Sequence, residues 1–137
     1  MNNEKNKKEL KNIHSGSWID KTFQYWIGEK TKNKAWNYLK ETRDAFKNFI
    51  NDNPNHPNID IAYKELMIAE GSDWFWWYGE PNNSGQDYVF DYMYRERLKN
   101  VYFLLNLEPP EYLDKSLINK IELPLKHPTR KITPKID

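Results

Sequence analysis

The chain has 137 residues, with 21 Lys and Arg against 20 Asp and Glu for a net charge of +1. That length suits one compact domain rather than two, and the charge balance argues against an electrostatic nucleic-acid binder. Cysteine is absent, which removes disulfides and thiolate chemistry, and no apolar run approaches the ~18–20 residues needed to cross a bilayer. Mean hydropathy is low at −1.00. Six Trp, nine Tyr and six Phe compensate, since each can bury roughly 150–250 Å². A core built on aromatic residues is therefore expected, not disorder.

Residues 1–12 are rich in Lys, Asn and Glu and read as a flexible polar lead-in. They lack the apolar stretch of a signal peptide, which points to the cytoplasm. His14 to Ser17 reads as a loop, with Ser17 a candidate N-cap. In the segment that follows, Trp18/Ile19, Phe23 and Trp26/Ile27 recur at helical spacing before Gly28, with a strand as the alternative. A stronger helix is predicted from Thr31 to Asp52, its apolar stripe made by Trp36, Leu39, Arg43, Phe46 and Phe49/Ile50. The Pro- and Asn-rich stretch 51–58 ends it. A third helix is predicted over Ile59–Ala69, capped by Asn58 or Asp60 and stopped by Gly71, with Ala62, Leu66 and Ala69 on its inner face.

Between the third and last helices lies the most unusual run, Asp73-Trp74-Phe75-Trp76-Trp77-Tyr78-Gly79-Glu80. A helix or strand buries one face, so adjacent tryptophans cannot all enter one core. Residues 80–85 read as a loop. The last helix is predicted over Asp87–Asn106, with Phe90, Tyr94, Leu98 (or Arg97), Val101 and Leu105 inward and Pro109-Pro110 as its stop. A short helical turn within 111–117 and a Pro-containing extended tail over 121–137 complete the chain. The predicted architecture is all-α: a small helical bundle of three to four main helices over 13–120.

Few motifs carry chemistry. His14, His56 and His127 lack metal-ligand spacing, and no metal or cofactor is expected. No phosphate-binding glycine loop or nucleophile elbow occurs. The segment 80–87 is rich in oxygen ligands but does not match a calcium loop. The basic patch at 126–131 reads as a solvated tail. Glu70, Asp73 and Glu80 could act as acid or base, but one cluster at a helix end does not make the opposed pair that a glycosidase needs. The aromatic run itself has three readings: a packed helix junction, a platform on which sugar rings stack with Ser72 and Asp73 bonding hydroxyls, or a base-stacking surface. Neutral net charge disfavours the third.

Glu70-Gly71-Ser72-Asp73-Trp74-Phe75-Trp76-Trp77-Tyr78-Gly79 resembles the aromatic block of glycoside hydrolase family 57, on its α-amylase and amylopullulanase side. Four other stretches agree in order. These are Gly16-Ser17-Trp18-Ile19 with Trp26-Ile27-Gly28; Asn33-Lys34-Ala35-Trp36 with Leu39 and Arg43; Leu98 to Tyr102 with Leu107-Glu108-Pro109-Pro110; and Ile132 to Asp137. The resemblance implies an accessory helical part of a retaining, α-glucan-acting enzyme. In that family a β/α barrel carries the catalytic Glu and Asp, in motifs that have no counterpart here. The resemblance therefore implies no catalytic residue in this chain. It implies that the catalytic barrel, of the same or a neighbouring chain, is a partner. It also implies contacts to an α-glucan or maltooligosaccharide from Trp18, Ser72, Asp73, Trp74 and Trp77, with Trp18 at the rim of the active site. Without a barrel, the exposed apolar face could form a homo-oligomer. The competing class is a non-enzymatic protein-interaction or oligomerisation module using the same aromatic surface.

Overall fold

The structure is a computed structural model that describes residues 11–82 and 84–118. The expected tail 121–137, the basic patch at 126–131 and the stretch Ile132 to Asp137 lie outside the described residues, as does all of the lead-in except residues 11 and 12. Four α-helices form the domain: α1 (Lys30–Asp52), α2 (Ile59–Ala69), α3 (Ser72–Trp77) and α4 (Asp87–Leu104), followed by a 3₁₀ turn at Glu111–Asp114. No strand occurs among the described residues. The fold is the small all-helical bundle that the periodicity predicts.

Each boundary has a local cause. α1 starts where the Glu29 carboxylate accepts from the backbone N–H of Thr31 at 2.6 Å and of Lys32 at 3.1 Å. It thereby satisfies two of the amides left orphaned at a helix start. Asn53 closes the other end by donating to Phe49 O, ahead of Pro54. α2 begins at the predicted residue, but the Asn58 side chain does not cap it. Its amide instead donates to Leu104 O, 3.0 Å away. The competing acceptor is one of the carbonyls that α4 leaves unpaired at its C-terminal end.

α4 ends two residues before the predicted Asn106. Asn106 adopts the left-handed conformation, φ 57°. The N–H of Asn106 donates to Phe103 O at 3.0 Å and that of Leu107 to Tyr102 O at 2.9 Å. This paired pattern is the Schellman motif, and Asn replaces the more usual Gly as its left-handed residue. The prolines at 109 and 110 therefore lie beyond the stop rather than causing it.

The segment 18–27 is not a helix but a series of turns. Asp20 accounts for the difference. Its carboxylate accepts from Thr22 N at 2.9 Å, from the Thr22 hydroxyl and from the Gln24 amide. Such side-chain bonds offer the backbone an alternative to the helical ladder. Ser17 caps no helix, and its hydroxyl instead faces Asp20. Ser17 N–H bonds Thr22 O at 2.9 Å and closes the turn. Gly16 permits this closure with φ 150°, since a Cβ there would overlap the Lys21 carbonyl.

The core runs through all four helices: Ala35, Leu39 and Phe46; Ala62, Leu66 and Ala69; Phe75; Tyr94, Leu98 and Val101. Leu105, Leu113 and Leu117 close it from the segment after α4. The α2 face matches the predicted one, and its two alanines suit the close approach of α2 to α4, the most extensive helix contact. The α1 face is rotated by about one position from the predicted stripe. Lys32, Ala35, Tyr38, Leu39, Thr42 and Phe46 point inward, whereas Arg43 is exposed and pairs with Glu70 at 2.6 Å. Polar Lys32, Tyr38 and Thr42 obscured the true phase. On α4, Phe90 is only half-buried, while Asp91, Tyr94, Arg95, Leu98 and Val101 are inside.

Candidate functional site

The aromatic run divides itself by helical geometry. α3 is short, and Phe75 within it and Tyr78, the extended residue that follows it, point into the core at 0% and 1% exposure. Phe75 stacks on Trp36 with ring centroids 3.6 Å apart and planes 3° apart. Trp74, Trp76 and Trp77 are half-buried, and Ser72 and Asp73 in the first turn are exposed. The run is thus neither all core nor all platform.

The five residues singled out by sequence fall on two elements. Trp74 and Trp77 both border Phe90 of α4, at 6.4 and 5.6 Å between centroids. Ser72 and Asp73 share the turn that precedes them, and neither side chain bonds another described residue. Trp18 sits apart, on the Gly16–Thr22 turn, and is 89% exposed. The segment bearing it is anchored to the run at Trp76. Tyr25 stacks on Trp76 at 5.0 Å and Trp26 packs on the same ring at 5.3 Å. Trp36 reinforces the anchor, its indole N–H donating to Trp26 O at 2.8 Å.

Indole N–H groups sort the tryptophans further. Trp36 donates to Trp26 O, and Trp74 donates to Ile68 O at 2.8 Å. These two half-buried indoles are tied into the bundle by their N–H groups. Trp18, Trp26, Trp76 and Trp77 make no such bond to another described residue.

Beneath the run lie charged groups that the sequence reading assigned to no site. Lys32 is fully buried, and its ammonium donates to Phe75 O at 3.0 Å and to Tyr78 O. Burial holds this lysine below its ordinary value, opposed by the nearby carboxylates of Glu29, Asp87 and Glu80. Asp91, 1% exposed, collects donors from Tyr78 Oη at 3.2 Å, Arg95 Nε at 3.1 Å, Ser116 Oγ at 2.8 Å and Leu117 N at 3.1 Å. Arg95 also donates to Leu113 O at 2.8 Å. Tyr78 is held well above the usual tyrosine value by burial first, with the Asp91 charge adding to it. The available signal was phase: Lys32 is in register with Ala35 and Leu39, and Asp91 and Arg95 with Leu98. Charges in an apolar phase imply buried partners.

Gly79 follows the run with φ 61°, and a Cβ there would lie 2.5 Å from Glu29 Oε2. The end of the run is thereby packed against the cap of α1. Beside this contact is an open recess of about 360 Å³ between Gln24, Ile27, Gly28, Glu29, Glu80 and Pro81. A second, of about 390 Å³, lies over α1 between Trp36, Leu39, Lys40, Arg43 and Glu70. Of the three carboxylates weighed as acid or base, Glu70 is paired with Arg43. Among the described residues no group of three His, Asp or Glu could hold a metal ion, and no helix is long and apolar enough to cross a membrane. Comparison with protein-family models, curated proteins and solved structures finds no match to this chain.

Proposed function

We propose that this domain is the helical accessory part of a retaining, family 57-like glycoside hydrolase acting on α-glucans. It supports a catalytic barrel and contributes aromatic sugar contacts. The observation that carries the reading is Trp18, 89% exposed, together with the half-buried Trp76 and Trp77, none of whose indole N–H groups bonds another described residue. Sugar rings present flat C–H faces beside hydroxyls, and an indole with a free donor serves both. Ser72 and Asp73 add polar groups one helical turn before Trp76 and Trp77, while Trp74 is bonded to Ile68 O. Catalysis is assigned to the barrel, so the isolated chain binds without hydrolysing.

Titration with maltoheptaose, followed by tryptophan fluorescence, tests this. Trp77→Ala and Trp18→Ala are each expected to weaken binding by about tenfold, ~1.4 kcal/mol. Absence of any saturable response in the unmutated chain would refute the sugar contact, and turnover abolished by a carboxylate substitution would refute the non-catalytic assignment.

A second reading, a protein-interaction module, is favoured by a different observation. α2 exposes Ile61, Met67 and Ile68, and α4 exposes Tyr92, Met93 and Phe103. Such surface suits a partner. The two readings are compatible if the partner is the barrel.

A further inference from the structure

We propose that Lys32 is a positioning residue for the tryptophan face, holding Trp76 and Trp77 in place through the backbone of α3. The functional half of this inference rests on the sugar-contact reading above. Trp76 and Trp77 lie between the two residues whose carbonyls Lys32 binds, Phe75 and Tyr78. One ammonium thus closes the short arc of chain that carries both half-buried rings. α3 has six residues; the Asn82 amide donates to Trp76 O at 3.1 Å, and the ammonium serves Phe75 O and Tyr78 O on either side of it. A cation is well placed at that end, where the peptide dipoles leave partial negative charge.

Burying a lysine completely is costly unless it is paired and bonded. Here the bonding comes from the Phe75 and Tyr78 carbonyls, and the charges of Glu29, Asp87 and Glu80 favour the ammonium against its burial. The same peptide stretch has a second anchor, because Tyr78 also donates its hydroxyl to Asp91. With the ring of Tyr78 fixed by α4 and its carbonyl by α1, the orientation of Trp77 is set from both helices. α3 itself contributes only one turn and a half.

The test is Lys32→Met in the full chain, which keeps the length of the side chain and removes the donors. Arg43→Met, on the exposed face of α1, is the control. Amide exchange at 76–79 is expected to rise at least tenfold in Lys32→Met. The near-ultraviolet circular dichroism of the tryptophans should fall at the same time, while exchange at Leu66 and Leu98 stays unchanged. A lysine with only a general structural role would speed exchange throughout. Unchanged exchange at 76–79 in a folded Lys32→Met chain would overturn the proposal.

If Lys32→Met does not fold, the unmutated chain decides. A slowly exchanging Lys32 ammonium with contacts to the Phe75–Tyr78 backbone supports the clamp, and a solvent-like ammonium overturns it. Maltoheptaose is the functional probe, and its affinity is expected to fall tenfold or more in Lys32→Met; retained affinity would overturn the positioning role. If the unmutated chain does not bind maltoheptaose, the sugar reading fails by itself, and the exchange and dichroism data still settle whether Lys32 holds the face.

Discussion

Gly79 shows how tightly single residues constrain the aromatic run. Its left-handed backbone disfavours any side chain, and a Cβ would meet the carboxylate that caps α1. Gly79→Ala is expected to destabilise the chain by about 2 kcal/mol or more, combining left-handed strain with a disturbed cap. Denaturant unfolding measures it, and a change under 0.5 kcal/mol would show that the contact is easily relieved. At this scale much of the site was illegible in the sequence. The crowding of Trp74, Trp76 and Trp77 signalled that they could not all be core, and Phe75 and Tyr78 then took the inward positions. Which indoles keep a free N–H depends on Ile68 O and Trp26 O, acceptors brought close only by the fold. The partners of Lys32 lie 43 and 46 residues away, so no local pattern could reveal them.

Elements were more legible than side chains, because turn chemistry is local. Pro57 and Gly71 bracket α2, and its apolar period of Ala62, Leu66 and Ala69 survives without a polar interruption. The segment around Trp18 misled for an equally local reason: its apolar residues fall at helical intervals, but Asp20 diverts the backbone. The end of α4 offers a quantitative check. Asn106→Ala is expected to cost about 1–2 kcal/mol, since alanine is strained in the left-handed region. Asn106→Gly should cost less than Asn106→Ala, although both lose the contact of the Asn106 amide with His56. Melting temperatures in the order Ala below Gly would establish the motif; the reverse order would mean that the side chain, not the backbone, matters there.

For the molecule as a whole, the buried polar groups set a distinctive alkaline response. Tyr78, Tyr94, Tyr102 and Tyr112 are all held above the free tyrosine value of 10.0, with burial the largest cause in each. Above pH 10 the unfolded chain loses these protons before the folded one, so stability falls as pH rises. Lys32 runs the other way. Its lowered value means that the unfolded chain binds the proton more strongly, so it contributes rising stability up to the free lysine value of 10.5. The melting temperature is therefore expected to hold or drift upward toward pH 10 and to fall beyond it. A steady decline beginning near pH 8, tracked by circular dichroism, would contradict the burial of Lys32.

The bond from Asn58 to Leu104 has a further consequence, for how the helices are joined. It joins the first residue before α2 to the last residue of α4, so the chain between them closes on itself like a clasped belt. Within that belt lie α2, α3 and α4 and the most extensive helix contact of the domain. α1, by contrast, enters from outside and meets the belt along its inner stripe and through one buried ammonium. By binding Phe75 O and Tyr78 O, α1 sets the last turn of α3 from outside that belt.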